Sequence, residues 1–286
     1  MNKQKAAMLS VISNTLLIIF KLIAGLSMNS ISVISEAIHS SLDLLASIIA
    51  FFSIKKANIP EDEDHPFGHG MYENVSGFVE AILILLAAII IIYEAVKKII
   101  NGVNVDHIGT GAIVMLVSSL VNLFISLSLL RISKKTNSIA LEADAYHLLT
   151  DVFTSMGVFA GLLLLKFTGI KMLDPITAIV VALLIIKTSI NLIKKSMKDL
   201  VDSSLPKEDL NKIINIFLAY PEITSYHRLR TRKSGETIEI DVHLRTNGET
   251  SLKEAHNLSS AIEKQVQTLF QSCYIVVHIE PEIKTS

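Results

Sequence analysis

The chain has 286 residues, 50% of them hydrophobic, a mean hydropathy of +0.51 and a formal net charge of −1. Such apolar content over a whole chain is foreign to an ordinary soluble domain, and the near-zero charge gives neither nucleic acid nor an anionic lipid surface a general claim on it. The single cysteine, Cys273, excludes an intrachain disulfide and reads as a small buried residue of a strand.

Met1 to Lys5 followed by apolar residues has the outline of a secretory leader. No small-residue cleavage site follows, and Asn14 and Lys21 interrupt the run, so the segment reads as a retained first helix. Apolar stretches then recur at 6–25, 31–54, 74–99, 110–132, 138–166 and 174–197. Each is about the length, roughly 20 helical residues, that crosses the hydrocarbon core of a bilayer. The breaks carry charge or turn residues. Six spans put both termini on one side, and the basic residues say which. Lys3, Lys5, Lys55, Lys56, Arg131, Lys134, Lys135, Lys194, Lys195 and Lys198 outnumber Lys97, Lys98, Lys166 and Lys171, which predicts cytoplasmic termini.

The hydropathy falls after residue 200. Lys207 to Ala219 predicts a helix with proline at its start, and Ser225 to Lys233 and Thr237 to Arg245 predict strands joined through Ser234-Gly235. Leu252 to Phe270 predicts an amphipathic helix, and Tyr274 to Ile279 a β-branched strand. The expected architecture is an α-helical membrane protein with six transmembrane helices over 1–203. A C-terminal α+β domain of order αββαβ follows over 204–286, with its helices on one face of a sheet.

Ionisable residues inside a span are costly and mark function by default. The second span contains Glu36, His39 and Asp43; the fifth contains Glu142, Asp144, His147 and Asp151. In both, a histidine is followed four residues later by an aspartate, a spacing that stacks the pair on one helix face. Facing helices would offer His39, Asp43, His147 and Asp151 as a tetrahedral set suited to zinc and less to magnesium or calcium. Glu36, Glu142 and Asp144 are expected nearer the helix ends, facing water or a cavity. Lys21 and Lys187 read as snorkelling or paired lysines. Because imidazole and carboxylate must lose protons to bind metal, a site exposed to each side in turn would exchange metal for protons.

Two further groups share this chemistry. In the loop from Pro60 to Glu73, Asp62, His65 and His69 can make a second metal site, with Glu61 or Asp64 as alternatives to Asp62. In the tail, His227, His243, His256, His278 and Glu280 converge from predicted strands and one helix, and His278 and Glu280 share a strand face. No G-x-x-x-x-G-K-[ST] and no H-E-x-x-H motif occurs. An intramembrane hydrolase needs an open ligand position, and four ligands leave none, so no enzymatic activity is expected. A membrane-anchored metal sensor is the other class, but six spans with mid-depth ligands exceed what an anchor needs.

These segments together resemble one family, the cation diffusion facilitators, which are zinc-transporter-like metal/proton antiporters. The resemblance rests on "SISVISEAIHSSLDLLAS", "ALEADAYHLLTDVFTS", the loop "DEDHPFGHGMYE" and the tail stretches "YHRLRTRKSG", "DVHL", "EAH" and "VVHIEPE". It implies a homodimer in the plasma membrane of a bacterium and a cytoplasmic domain like metallochaperones, of ferredoxin-like fold. It implies a transport site at His39, Asp43, His147 and Asp151, a loop site at Asp62, His65 and His69, and a tail site at His227, His243, His256, His278 and Glu280. Tail metal is then expected to draw two cytoplasmic domains together. The cargo expected is Zn2+, with cadmium, cobalt, iron or manganese as alternatives. Some members carry Asp at the place of His39 and tend to accept cadmium; the two-histidine form resembles zinc-preferring members. Met71 stands where some members have a dimer-locking lysine, and Glu280 where related members have aspartate.

Overall fold

The structure is a computed structural model. It describes residues 2–27, 31–101, 111–168, 170, 172–270 and 272–282, apart from the side chains of 31–33, 35, 36, 42, 111–113, 158–166 and 174. Residues 102–110 and the Glu36 side chain therefore lie outside the described residues. The chain forms two compact units: Met1–Pro60 with Tyr72–Met197, and Glu61–Met71 with Lys198–Ser286. The second thus takes in the loop between the second and third long helices together with the tail, a grouping the sequence reading did not anticipate.

The first unit is built from six long helices among the described residues: α1 (Lys3–Ser27), α2 (Ile31–Ala57), α3 (Met71–Asn101), α4 (Gly111–Thr136), α5 (Ile139–Thr168) and α6 (Leu173–Leu200). All of α1, α3 and the stretches Ala37–Ala57, Val114–Thr136 and Pro175–Leu200 are apolar and long enough to cross a membrane. The 30 residues of α5 would reach about 45 Å at 1.5 Å per residue.

The burial pattern is that of a membrane protein. Large apolar side chains such as Leu16, Ile90, Phe124 and Leu184 point outward. Small ones fill the helix contacts: Ala6 and Ala7 of α1 with Ile54, Leu129, Ala140 and Ala145, and Ala81 and Ala88 of α3 with Ile185 and Leu192 of α6. Small residues let helix backbones approach closely where lipid removes the hydrophobic drive for association. Many polar groups are turned inward and paired. Ser189 donates to the Ala81 carbonyl at 2.6 Å, and Lys3 pairs with buried Glu73 at 2.6 Å. Ser138 also donates to Glu73.

In the second unit, α7 (Lys207–Leu218) and α8 (Leu252–Gln267) pack on a three-stranded sheet of order β1-β2-β3, with β1 at Ile223–Ser234, β2 at Thr237–Thr246 and β3 at Cys273–Pro281. β1 and β2 run antiparallel, and β2 and β3 parallel. Period-two alternation sends Ile240, Val242 and Leu244 of β2 to the helices, where they meet Ile213, Phe217, Ile262 and Val266. Gly235, at φ +60°, makes the hairpin turn in a conformation that glycine adopts without a Cβ penalty. Ser251 and Glu254 form a capping box at the start of α8.

Candidate metal centres

α2 and α5 bring the intramembrane set together. Ligand atoms of His39, Asp43 and Asp151 lie within 4.8 Å of one another, and His147 Nε2 lies 3.1 Å from Asp43 Oδ1. Ligands about 2.0–2.1 Å from a tetrahedral ion stand roughly 3.3 Å apart, so rotamer-sized motions would close this group on one cation. Asp43 and His147 are largely buried, Asp151 is half-buried and His39 is exposed, so the set is reachable from one edge. Other helices hold it. Asn122 of α4 donates to Asp151 Oδ2 at 3.5 Å. Asn14 of α1 donates to the Asp43 carbonyl at 3.5 Å and to Ser47 Oγ at 2.7 Å. The buried Nδ1 of His147 has no hydrogen-bond partner.

One expectation for this region needs correction. Asp144 does not face water: it is fully buried and accepts a hydrogen bond from Ser47 Oγ at 2.9 Å. Its place three residues before His147 puts it on the same helix face, and the packing of α1 and α2 closes over it. Of the two expectations for Lys21, snorkelling or paired, the structure shows the second: it is buried and donates to Ser40 Oγ at 2.7 Å. Glu142, by contrast, is half-buried and pairs with Lys195. The sequence reading passed over Glu80, a fully buried acid in α3. A carboxyl within an apolar run was the available signal.

In the loop, Gly68, at φ +76°, turns the chain so that His69 comes back beside His65, their ring centroids 4.3 Å apart. Asp62 joins both: Oδ1 is 3.3 Å from His65 Nδ1 and Oδ2 is 3.4 Å from His69 Nε2. The His65 backbone N–H, 2.7 Å from Oδ1, is the main cause holding the Asp62 carboxyl below its usual range. Glu61 is engaged elsewhere, accepting from Tyr274 Oη at 3.0 Å. Of the three candidate carboxylates, Asp62 is the one that meets both imidazoles.

The tail set follows from strand register. His227 of β1 pairs with His243 of β2, which pairs with His278 of β3, so three imidazoles lie abreast on the sheet face opposite the helices. Ring centroids are 5.2 and 4.6 Å apart. Glu280, two residues along β3, reaches all three: 2.7 Å from His243 Nδ1, 3.4 Å from His227 Nε2 and 3.6 Å from His278 Nε2. The hydrogen bond to His243, then the charges of His227, His243 and His278, keep its carboxyl below the usual Glu range. The buried Nδ1 of His227 has no hydrogen-bond partner, so a donor atom is free for an ion and the set fits a nitrogen-preferring metal. His256 does not join this group. It is exposed on α8, whose Ile262 and Val266 pack against the other face of the sheet.

A bundle of apolar helices enclosing an imidazole–carboxylate cluster, followed by a small α+β domain, defines a multi-pass membrane protein built to handle metal cations. Family models identify residues 7–201 as a cation efflux transmembrane domain and 205–282 as the cytoplasmic domain of a cation efflux protein. The uncharacterized transporter sll1263 of Synechocystis is 33% identical over 253 residues, 88% of this chain and 82% of that protein. The cation-efflux pump FieF of Shewanella oneidensis is 30% identical over 276 residues, 96% of this chain and 93% of that protein. The manganese efflux system protein MneP of Bacillus subtilis is 28% identical over 285 residues, 97% of this chain and 96% of that protein. The chain belongs to the cation diffusion facilitator family, whose members are transporters of divalent metal cations.

Proposed function

We propose that this transporter exports divalent transition-metal ions, zinc foremost, from the cytoplasm in exchange for protons, binding each ion through His39, Asp43, His147 and Asp151. The observation that carries the reading is the meeting of α2 and α5, which gathers two imidazoles and two carboxylates into one cluster open at one edge. Two nitrogens and two oxygens that can close to tetrahedral spacing suit zinc. The same atoms bind protons, so metal and proton compete for one site, and a pH difference can drive metal against its gradient. The bias of Lys and Arg supports cytoplasmic termini in a plasma membrane, and the cytoplasmic domain supports a homodimer.

The loop residues Asp62, His65 and His69 and the tail residues His227, His243, His278 and Glu280 would hold further ions that regulate rather than travel. Bound there, a metal neutralises Glu280 and fixes the three imidazoles in one geometry. Manganese or iron as cargo is the second reading. It is favoured by the two carboxylates in the cluster and by relatives named for manganese and general cation efflux.

Purified protein in sealed vesicles should take up zinc when a pH gradient is imposed and lose the gradient as it does so. Asp151→Ala should abolish that uptake while the protein stays folded and monodisperse, since even partners one step from a ligand change affinity by about 10–100-fold. Undiminished proton-driven flux in the variant would refute the site. Competition among zinc, cadmium, iron and manganese would rank the cargo.

A further inference from the structure

His39, Asp43 and Ser47 follow one another at four-residue intervals on α2, so they climb one helix face a turn at a time. Their partners on α5 come in the opposite order. Ligand atoms of His39, Asp43 and Asp151 gather within 4.8 Å of one another. Asp43 Oδ1 lies 3.1 Å from His147 Nε2, and Ser47 Oγ donates to Asp144 Oδ1 at 2.9 Å. These contacts are successive rungs between two antiparallel helices, about one 5.4 Å pitch apart. The first two rungs consist of the candidate metal ligands. The third, Ser47 with Asp144, contains none of them.

That third rung is braced from α1. Asn14 Nδ2 donates to Ser47 Oγ at 2.7 Å, and Ser10 Oγ lies 3.0 Å from it. A hydroxyl offers one donor and two acceptor positions, so Asp144, Asn14 and Ser10 together use all that Ser47 has. All four side chains are buried, where no water stands in for a lost partner. Asn14 also donates to the Asp43 carbonyl at 3.5 Å. It thus spans the single turn of α2 that runs from a metal ligand to Ser47. Lys21, donating to Ser40 Oγ at 2.7 Å, grips α2 on the other side of Asp43. A slip of α2 along α5 by one residue, about 1.5 Å, would break the Ser47 bond and carry Asp43 away from His147.

We propose that Ser47 is a positioning residue of the transport site. Braced by Asn14, its bond to Asp144 fixes the axial register of α2 on α5, and with it the spacing of Asp43 and His147 that an ion must bridge. The assignment rests on the reading of His39, Asp43, His147 and Asp151 as that site. Ser47 touches no ion; it acts through the helical turn it shares with Asp43. The ligand rungs exchange partners each time an ion or proton comes or goes, whereas the serine rung keeps its partners throughout.

The test uses the full chain in sealed vesicles, with zinc alone as the metal and the zinc gradient as the driving force. Ser47→Ala removes the hydroxyl and leaves a good helix former of similar size. The zinc concentration giving half-maximal uptake should rise about tenfold, as on loss of other partners one step from a ligand. Maximal uptake per folded molecule should hold, which marks lost binding rather than lost protein, and the number of zinc ions bound at saturation should equal that of the wild type. Asn14→Ala should act in the same direction. The double variant should fall short of the product of the two single effects, because both act through one bond. Should Ser47→Ala not fold, Asn14→Ala carries the test by the same measure. An unchanged half-saturating concentration would overturn the proposal, as would a fall in maximal uptake alone. Loss of a bound zinc ion would make Ser47 a ligand and overturn it too, and fully multiplying effects would reduce the two residues to independent packing contacts. Asp43→Ala separates this proposal from the reading beneath it: wild-type uptake in that variant would remove both, whereas abolished uptake beside an unaffected Ser47→Ala would remove the positioning role alone.

Discussion

Glu280 is the point where the tail histidines meet, and its chemistry sets how that cluster responds to pH. The hydrogen bond from His243, with the charges of its neighbours, lowers the carboxyl pKa in the folded protein. The native state therefore binds fewer protons there than the unfolded chain. The resulting stabilisation is complete above the ordinary Glu value of about 4.3 and is lost as pH falls through the lower folded value. In chelator, the thermal midpoint of the wild type should exceed that of Glu280→Gln near neutral pH. The advantage should shrink to nothing as pH falls through and below the lowered folded value. A gap of constant size across that range would show that the two residues differ by packing rather than by charge. Zinc binding to the tail should weaken earlier in the descent, as the imidazoles gain protons.

Spacing read from sequence was enough to place His39 with Asp43 and His147 with Asp151 on their helix faces, because i,i+4 geometry is local. It could not place Asp144, since a face does not reveal depth. Whether that face meets water or the side of another helix depends on how α1 and α2 pack.

At the scale of elements, the loop carrying Asp62, His65 and His69 is fastened to the tail sheet rather than free. The Arg232 guanidinium lies 4.7 Å from the Phe67 ring centroid while also holding Glu239 at 2.6 Å. Tyr274 of β3 donates to Glu61. Gly70 presses against the β1–β2 turn so closely that a Cβ there would stand 2.5 Å from the Ser234 carbonyl oxygen. Backbone cannot yield as a side-chain tip does, so Gly70→Ala must move the loop or the hairpin, at a cost of roughly 1–3 kcal/mol. The expected result is faster proteolysis between residues 61 and 66 and weaker zinc binding by the loop, with the intramembrane cluster still able to bind. Wild-type protection of the loop in this variant would mean that the close approach is not maintained in solution. None of this fastening was legible beforehand. The helices and strands announced themselves through local periodicity, whereas Phe67, Glu61 and Gly70 find partners far along the chain and no local pattern records them.

At the scale of the molecule, His256 separates what one copy of the chain can do from what two can do. The sequence reading grouped it with the tail ligands because it took the histidines as one convergent set. The sheet divides them: His227, His243, His278 and Glu280 share one face, and α8 packs on the other. Within a single copy, Glu280 already brings the three strand imidazoles to hydrogen-bonding or near-contact distance. A ligand role for exposed His256 therefore requires a neighbouring copy to present it, which ties metal in the tail to the proposed homodimer. Zinc titrations of the full chain in detergent can tell the two contributions apart. His243→Ala should weaken tail binding by at least about tenfold, as loss of a ligand must exceed loss of its supporting partner. His256→Ala should leave the strand cluster's affinity near wild type while abolishing any zinc-dependent approach of two tails, read as energy transfer between dyes attached at Cys273 after removal of unreacted label. Equal loss of affinity in both variants would make His256 as much a ligand as His243 and overturn this division of roles. Unchanged energy transfer in His256→Ala would leave dimer closure to the strand cluster alone.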